Sequence, residues 1–289
     1  DADATTNTVT YSLTDDAGGR FAIGSSTGVV TVAKVLDRET DGASQSITVQ
    51  AKSADGSVSS AKFTIAVNGL NDNSPVFTSA DKFNAPENQT AVGTVTATDA
   101  DLPGDKITFS ITGGSDSSKF SITSDGRLTF KAAPNFEAPS DSNTDNVYLV
   151  LVTANDGAGG TTVQNIAVTV TNVNEPVSVA NPIADQATDE LVPFTFTVPA
   201  NTFSDIDGDK LFLSVVKTDG TAVPEWLTFD AATRTFTGTP GYGDVGTTSI
   251  RVTADDLGGF MVADSFDLVV NAVLVQPVVN LGNGTNDVV

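Results

Sequence analysis

Residues 68–77 read NGLNDNSPVF and place three oxygen-bearing side chains in a row, at Asn71, Asp72 and Asn73, just before Pro75. An ordinary loop needs one or two such residues, and the proline fixes a backbone dihedral at the exit of the stretch. Carboxylate and amide oxygens are the ligands that Ca²⁺ takes, roughly 6–8 of them at about 2.3–2.6 Å. The stretch therefore predicts part of a calcium site rather than a plain turn.

Pairs of aspartates recur at corresponding places along the chain. Asp-Ala-Asp stands at 1–3 and at 99–101, and Asp-Ile-Asp stands at 205–207. The run Asp205 to Asp209 also resembles the start of an EF-hand loop. The twelfth position is Val216 and no flanking helical pattern is present, so we exclude an EF-hand. A single aspartate of this kind is ordinary turn chemistry.

The composition narrows the chemistry to oxygen ligands. Of 289 residues, 36 are Asp or Glu and 14 are Lys or Arg, which gives a net charge of −22. This charge disfavours nucleic acid and anionic membrane surfaces as partners. The absence of Cys and His removes disulfides, thiolate ligands and the commonest general base. No apolar run reaches the roughly 18 residues that a membrane span needs, and no catalytic constellation accompanies the acids, so we predict no membrane insertion and no enzyme.

The acids lie between alternating runs that recur, in one order, in three successive segments. Each segment has an alternating run, then two short runs around a turn, then two longer runs. The longer runs place their apolar residues on one face: Ile47, Val49, Ala51, Phe63, Ile65 and Val67; Val150, Val152, Ala154, Ile166, Val168 and Val170; Ile250, Val252, Ala254, Phe266, Leu268 and Val270. A period of two predicts half-buried strands, and no segment shows a convincing helical period.

The predicted fold is all-β, with tandem Greek-key immunoglobulin-like β-sandwiches of about seven strands each. The predicted limits are 1–70, 75–173 and 177–271, followed by a tail or linker at 272–289. The first repeat has no counterpart of the run that precedes Asp99, so we expect it to lack its first strand and to begin inside a domain of a longer protein. An alternative is that residues 272–279 of a neighbouring copy fill the vacant edge.

The motifs resemble those of cadherin repeats. LDRE stands at 36–39, GLNDNSPVF at 69–77, PEN at 86–88, DAD at 99–101 and AND at 154–156. The order and spacing match as well as the motifs, and the resemblance covers residues 1–173. Residues 177–271, with FSDIDGDKL at 203–211, resemble the dystroglycan-type cadherin-like domain of bacterial surface proteins. The whole resembles a stretch of a large bacterial adhesin built of tandem repeats.

The resemblance implies calcium at both junctions between repeats. At the first junction it implies the ligands Asp37, Glu39, Asn71, Asp72, Asn73, Asp99, Asp101 and Asp156. At the second junction it implies Glu87, Glu137, Asn172, Asn174, Asp205, Asp207 and Asp256.

Four departures from the cadherin pattern limit what the resemblance implies. Gly69 replaces the first linker acid, and Ser53 stands where the first repeat would carry its AxD aspartate. Asn135 replaces the LDRE aspartate of the second repeat, and Glu175 takes the place of the linker aspartate in the shorter second linker. We therefore expect up to about three ions at the first junction and fewer at the second.

The function implied by the resemblance is a calcium-rigidified extender of an adhesin that is secreted or attached to a bacterial cell surface. The alternative is a ligand-binding module at residues 177–271 for a carbohydrate or a protein. Self-association through edge strands is a further candidate. Trp226, the single tryptophan, could stack on a sugar, but its place in EWLTF predicts core or edge packing instead.

Overall fold

Alternating Val, Ile, Thr and Phe residues form β-strands along the chain in the computed structural model, which describes residues 8–101 and 106–274. Contacts separate the chain into two units, Asp1–Thr171 and Asn172–Val289. The first unit holds two sandwiches and the second unit holds one. The Asp-Ala-Asp at 1–3 and the proposed strand donor at 272–279, apart from its first three residues, lie outside the described residues.

The first sandwich contains five strands and one helical turn among its described residues. Their bounds are β1 Val9–Asp15, β2 Phe21–Ile23, β3 Val30–Val32, α1 Arg38–Asp41, β4 Ser44–Ser53 and β5 Val58–Ala66. One sheet has the antiparallel order β1-β4-β5, and β2 pairs with β3 in the other. Within residues 8–101 and 106–171, no strand pairs with the outer edge of β5, which agrees with the expected absence of a first strand.

The core of this first sandwich is small. Phe21 and Ile47 are its buried apolar residues in the described part of the chain, at 4% and 1% exposure. Strand β5 forms where it is predicted, but its burial does not alternate: all of its residues except Ile65 are exposed, and Phe63 is 51% exposed. The expectation that this face is half-buried is wrong for Phe63. Among the described residues, the second sheet consists of the short β2–β3 hairpin alone, and the outer edge of β5 has no neighbouring strand.

The second sandwich has nine strands and one short 3₁₀ helix. Their bounds are β6 Val76–Phe77, β7 Lys82–Pro86, β8 Ala91–Thr94, β9 Ala97–Thr98, β10 Thr108–Gly113, the 3₁₀ helix Ser117–Lys119, β11 Phe120–Ile122, β12 Arg127–Phe130, β13 Val147–Asn155 and β14 Thr161–Thr171. One sheet has the order β10-β13-β14-β7, and another has the order β11-β12-β8. Strand β7 runs parallel to β14 and occupies the edge that is open in the first sandwich.

The core between these sheets contains the predicted inward residues. Val150, Val152 and Ile166 are each fully buried, as the period of two predicts. Tyr148 meets Phe120 and Phe130 in edge-to-face contacts, with ring centroids 6.2 and 5.1 Å apart. Such geometry is the preferred one for aromatic pairs and adds to the free energy gained from burial.

A buried aspartate holds the loop before β13 against the sheet. Asp116 is 3% exposed. Its Oδ1 accepts from Ser142 N at 2.7 Å, and its Oδ2 accepts from Leu149 N and from Ser115 Oγ, both at 2.9 Å. Burial by itself raises the pKa of Asp116, but the hydrogen bonds from Leu149, Ser115 and Ser142 outweigh burial and hold the pKa below the ordinary value of 3.8.

Replacing Asp116 tests this network. In Asp116→Asn, an NH₂ group takes the place of one acceptor oxygen, so we expect a loss of about 1–3 kcal/mol in the free energy of unfolding at pH 7. The folded-state pKa is lowered, so the stabilisation is complete above 3.8 and is lost as the pH falls through the folded-state pKa. Urea titrations of both proteins between neutral and acidic pH should converge toward low pH, and a constant difference would contradict this explanation.

The third sandwich forms the second unit. Its bounds are β15 Ser178–Val179, β16 Gln186–Asp189, β17 Phe194–Thr197, β18 Phe203–Ser204, β19 Phe212–Lys217, β20 Leu227–Asp230, β21 Thr235–Gly238, the 3₁₀ helix Tyr242–Asp244, β22 Gly246–Asp255 and β23 Met261–Asn271. One sheet has the order β16-β23-β22-β19, and the other has the order β17-β21-β20. Strand β16 runs parallel to β23, as β7 does to β14.

Phe236 lies at the centre of this third core and is fully buried. Its ring contacts Phe229 and Phe266, with centroids 4.6 and 5.7 Å away. Trp226 packs against this core while partly buried, so the prediction that it is a packing residue is confirmed. The prediction of all-β sandwiches is confirmed for the described chain, whose helical segments are three single turns. No helix among residues 8–101 and 106–274 is long and apolar enough to span a bilayer.

Candidate metal centre

The linker between the first two sandwiches is attached to the loop after β9. Asn73 donates its backbone N–H to Asp101 Oδ2 at 2.6 Å, and its side-chain Nδ2 donates to Asp101 Oδ1. Asp101 N in turn donates to Asp99 Oδ1 at 3.1 Å. The Asp-Ala-Asp motif therefore folds into a small turn whose second carboxylate holds the linker.

Three carboxylates from three separate segments meet at this point. Glu39 comes from α1, Asp72 comes from the linker, and Asp101 comes from the loop after β9. One oxygen of each lies within 4.8 Å of the others, and Asp101 is 1% exposed. Like charges at this separation repel each other, whereas a hard cation between them would be attracted to all three.

Glu39 reaches this point because α1 is fixed at both ends. Asp37 precedes the helix and accepts from Glu39 N at 2.9 Å and Thr40 N at 3.1 Å, which satisfies two free N–H groups of the first turn. These hydrogen bonds lower the pKa of Asp37, with Thr40 as the strongest cause. At the other end, Asp41 pairs with Arg20, and this pairing lowers the pKa of Asp41. The predicted ligand Asp37 therefore serves as a helix cap and does not belong to the carboxylate cluster.

Asp101 and its neighbour Asp99 each have a feature that fits a bound cation. Burial raises the pKa of Asp101, but the hydrogen bonds from Asn73 and Asp72 outweigh burial, so the net pKa is below the ordinary value. Asp99 Oδ2 is buried, and it has no hydrogen-bond partner among the described residues. A buried, unpaired carboxylate oxygen costs free energy, and a metal ion is one of the partners that would remove this cost.

Asp156 lies beside the linker at the turn between β13 and β14. Its Oδ1 accepts from Ala158 N, Gly159 N and Gly160 N at 2.8, 3.1 and 3.0 Å. These three hydrogen bonds stabilise the turn. Gly160 leaves almost no free space there. A Cβ atom at Gly160 would lie 2.3 Å from Asp156 Oδ2 and 2.7 Å from the carbonyl oxygen of Asn73. Asp156 and the linker backbone therefore approach each other only because residue 160 is a glycine.

Two residues predicted for the second junction lie close together in the first unit. Carboxylate oxygens of Glu87 and Glu137 are within 4.8 Å of each other. Glu87 is 2% exposed and accepts from Phe136 N at 2.7 Å through Oε2. A glutamate this deeply buried is rare without partners, so its placement is compatible with a ligand role.

The other residues of that junction lie in the second unit. Asp205, Asp207 and Asp209 form a cluster with oxygens within 4.8 Å of one another, and Asp207 N donates to Asp205 Oδ1 at 2.9 Å. Asp205 Oδ2 and Asp207 Oδ1 are buried without a hydrogen-bond partner in the described part of the chain. The turn therefore repeats the arrangement of Asp99 and Asp101. Asn172 is exposed.

The second linker attaches to its own sandwich much as the first linker does. Glu175 N donates to Asp207 Oδ2 at 2.7 Å, as Asn73 N does to Asp101. Asn174 Nδ2 donates to Asp256 Oδ2 at 2.9 Å, and this bond is the largest cause of the lowered pKa of Asp256. Asp256 Oδ1 also accepts from Gly258 N at 2.7 Å, so its turn has the form of the Asp156 turn.

Two acids of these regions are absent from the residues predicted as ligands. Asp209 joins the cluster of Asp205 and Asp207, and the alternation of acids at 205, 207 and 209 is a signal that could have identified it. Asp41 supports α1 through Arg20, and no sequence motif indicates that ion pair. The complete list of ligands stays a prediction.

Comparisons with known proteins agree with this architecture. The cadherin domain family matches residues 1–68, the family described as bacterial Ig domain matches residues 71–169, and the family described as putative Ig domain matches residues 176–271. Human cadherin EGF LAG seven-pass G-type receptor 2 is 35% identical over 161 residues, which is 53% of this chain and 5% of the receptor. Human cadherin-8 is 32% identical over 194 residues, which is 61% of this chain and 23% of cadherin-8. The chain thus spans a small part of these relatives.

Solved structures show the same fold. Protocadherin gamma B2 extracellular cadherin domains 3-6 superpose with a TM-score of 0.65 at 20% identity, covering 92% of this chain and 69% of that chain. The protocadherin gammaB7 EC3-6 cis-dimer structure gives a TM-score of 0.65 at 21% identity, covering 91% and 67%. The chain therefore has the fold of tandem cadherin-like, immunoglobulin-type β-sandwiches.

Proposed function

We propose that this chain is a calcium-rigidified extender within an adhesin. The observation that carries the proposal is the meeting of Glu39, Asp72 and Asp101, which belong to two sandwiches and to the linker that joins them. A cation held by all three would tie both sandwiches to the linker. Calcium is the fitting ion because the ligands are oxygens only and the chain has no Cys or His.

Residues around the proposed calcium ion hold the linker and position the helical turn α1. Asp101 keeps Asn73 against the second sandwich through two hydrogen bonds, and Asp37 fixes the helical turn that presents Glu39. A bound calcium ion supplies the positive charge that offsets the repulsion between the carboxylates. Because the ion binds the assembled site and not the unfolded chain, its binding free energy adds to the stability of the folded form.

The location proposed for this chain is outside the cell, on a bacterial surface or secreted. Two of its three repeats match families described as Ig domains, one of them as bacterial, and the first matches cadherin domains. Millimolar calcium in such surroundings is within the range that weak extracellular calcium modules require. Calcium would then cross-link and stabilise this cysteine-free chain, as disulfides do in many extracellular proteins.

Small-angle X-ray scattering with and without calcium tests the extender. In EDTA we expect a broad distribution of particle dimensions, since the repelling carboxylates leave the linker free to bend. In millimolar calcium we expect a longer maximum dimension and a narrower distribution. Magnesium at the same concentration is the control, because it prefers a smaller, strictly octahedral site. Identical scattering in EDTA and in calcium would overturn the rigid extender.

A ligand-binding module remains the second candidate function, and one observation favours residues 177–271. Phe212 at the start of β19 is 45% exposed and lines a cleft of about 480 Å³. That volume lies within the range of small-molecule sites. A glycan screen with the whole chain separates this candidate from a pure extender, which would bind no sugar.

A further inference from the structure

The cleft on the third sandwich has a composition unlike the rest of this acidic protein. It lies between the start of β19 and the turn that joins β20 to β21. Its lining consists of Lys210, Leu211, Phe212, Leu213, Ala231, Ala232 and Arg234. It contains two cations and no acid, although the chain has 36 acids against 14 bases. The lining of the cleft is therefore cationic on a protein of net charge −22, although Asp205 and Asp209 line the adjoining cleft that also includes Arg234.

Arg234 is a cation without an anion. It is half-buried, and it makes no ion pair and no side-chain hydrogen bond within the described residues. The ion pairs found there are Arg20 with Asp41 and Lys217 with Asp219. A guanidinium has five donors in a rigid fork that matches a carboxylate in two parallel hydrogen bonds. Arg234 thus offers an unused bidentate site at the wall of the cleft.

The backbone at Arg234 is in a conformation that favours glycine. Its φ is +58°, and it ends the turn between β20 and β21. The corresponding turns of the other two sandwiches have glycine at the equivalent place, Gly28 with φ +66° and Gly126 with φ +92°. A non-glycine residue in this region carries strain, and Arg234 is one of seven such residues in the described part of the chain. The third sandwich therefore tolerates a strained arginine where its neighbours have the relaxed residue.

The turn that presents Arg234 is fixed by one aspartate. Asp230 accepts from Ala232 N through Oδ1 and from Thr233 Oγ1 through Oδ2, both at 2.9 Å. Arg234 O accepts from Val198 N at 2.9 Å, which ties the turn to the adjacent strand. The guanidinium is thus carried by a rigid backbone, which lowers the entropy cost of binding a ligand.

An aromatic side chain also lines the cleft. Phe212 is 45% exposed, and the ammonium of Lys210 lies 4.9 Å from the centre of its ring. The C–H face of a sugar ring is apolar and packs on aromatic rings, while its substituents remain free for polar contacts. A ligand that contacts both Phe212 and Arg234 has a sugar-sized ring and a carboxylate.

We propose that this cleft binds a uronic acid residue of an acidic glycan. The carboxylate of the sugar accepts two hydrogen bonds from Arg234, and the ring lies in the cleft beside Phe212. Most of the negative charge of the chain does not prevent this, because charges beyond about 8 Å are largely screened at physiological ionic strength. The acids near the site are Asp205 and Asp209 of the adjoining cleft, and neither forms an ion pair with Arg234. The site goes beyond the extender function and uses none of the predicted calcium ligands.

Calorimetric titration with trigalacturonate tests the proposal. The 289-residue chain is titrated in EDTA, so that carboxylate–calcium bridges cannot mimic binding and the result does not depend on the extender function. The methyl ester of the same trisaccharide has no charge and serves as the matched ligand. We expect the acid to bind at least about tenfold more tightly than the ester, a difference of about 1.4 kcal/mol. Equal affinity for acid and ester, or no binding of the acid at about 10 mM, would overturn the proposal.

Three variants locate the site. We expect Arg234→Gln to weaken trigalacturonate binding about tenfold or more. Arg251→Gln is the control, because Arg251 lies on β22 and does not line the cleft. Arg234→Gly is the variant least expected to misfold, since glycine suits the positive φ at this position. We expect this variant to keep or raise the melting temperature and still to lose binding. Binding that survives in the well-folded Arg234→Gly protein, or that falls equally in Arg251→Gln, contradicts the assignment.

Discussion

Calcium is expected to stabilise the first unit by about 2.7 kcal/mol for each ion bound at a hundredfold excess over its dissociation constant. For a unit of this size, 1 kcal/mol corresponds to roughly 2–4 °C, so one ion should raise the melting temperature by about 5–10 °C. The Asp101→Asn variant should lose most of this increment. Differential scanning calorimetry in EDTA and in millimolar calcium measures it for both proteins.

Asp101 is the decisive residue for a physical reason. Its carboxylate is almost fully buried, belongs to the cluster with Glu39 and Asp72, and also holds Asn73 of the linker. An amide in its place removes one negative charge and one acceptor oxygen without changing the volume of the side chain. The variant also weakens the calcium-free protein, so the quantity to compare is the gain on adding calcium and not the melting temperature itself.

A matched control separates a site from a general effect of charge. Asp81 is an exposed aspartate of the same unit and belongs to none of the carboxylate clusters. Asp81→Asn changes the net charge by the same amount and should keep the full calcium increment. If Asp81→Asn and Asp101→Asn lose equal amounts, calcium acts by screening the net charge, and the proposed site is wrong.

Replacing Gly160 by alanine should have the second largest effect. The new Cβ would stand 2.3 Å from Asp156 Oδ2 and 2.7 Å from the Asn73 carbonyl oxygen, so the carboxylate and the linker backbone must move apart. Overpacking of this kind costs about 1–3 kcal/mol. Because Asp156 is a predicted ligand and the linker carries the predicted ligands Asn71, Asp72 and Asn73, we also expect the calcium increment of the first unit to fall.

The calcium-free and calcium-bound proteins distinguish the two parts of this effect. Chemical unfolding in EDTA measures the overpacking alone, and calorimetric titration with calcium measures the affinity. Gly243→Ala is the control, because a Cβ there would meet no atom within 4 Å. A Gly160→Ala protein that binds calcium with unchanged affinity would show that Asp156 and the linker are not part of one site.

Local patterns in the sequence predicted the strands and most of their inward faces. The alternation of apolar residues placed Val150, Val152 and Ile166 in a core, and all three are fully buried. The same alternation misplaced Phe63, which is 51% exposed. A period of two shows which residues share a face, but burial also requires a second layer over that face.

For the candidate site too, the sequence indicates some features and the fold decides others. The order of the acidic motifs along the chain indicates oxygen ligands at Asp72 and Asp101. It also places Asp37 among the ligands, and in the fold Oδ1 of this carboxylate caps α1. Sequence spacing does not show which oxygens are already used by backbone N–H groups, because those hydrogen bonds depend on the local dihedral angles.

By itself, the sequence determined the all-β class, the repeated order of strands and an acidic chemistry limited to oxygen ligands, because these follow from residue type and short-range periodicity. Only the tertiary structure decided that Glu39 meets Asp72 and Asp101, and that Arg234 lines a cleft with Phe212 and forms no ion pair with another described residue. Both arrangements join segments far apart in the chain. Their proximity depends on how sheets pack and loops close, which no local pattern encodes.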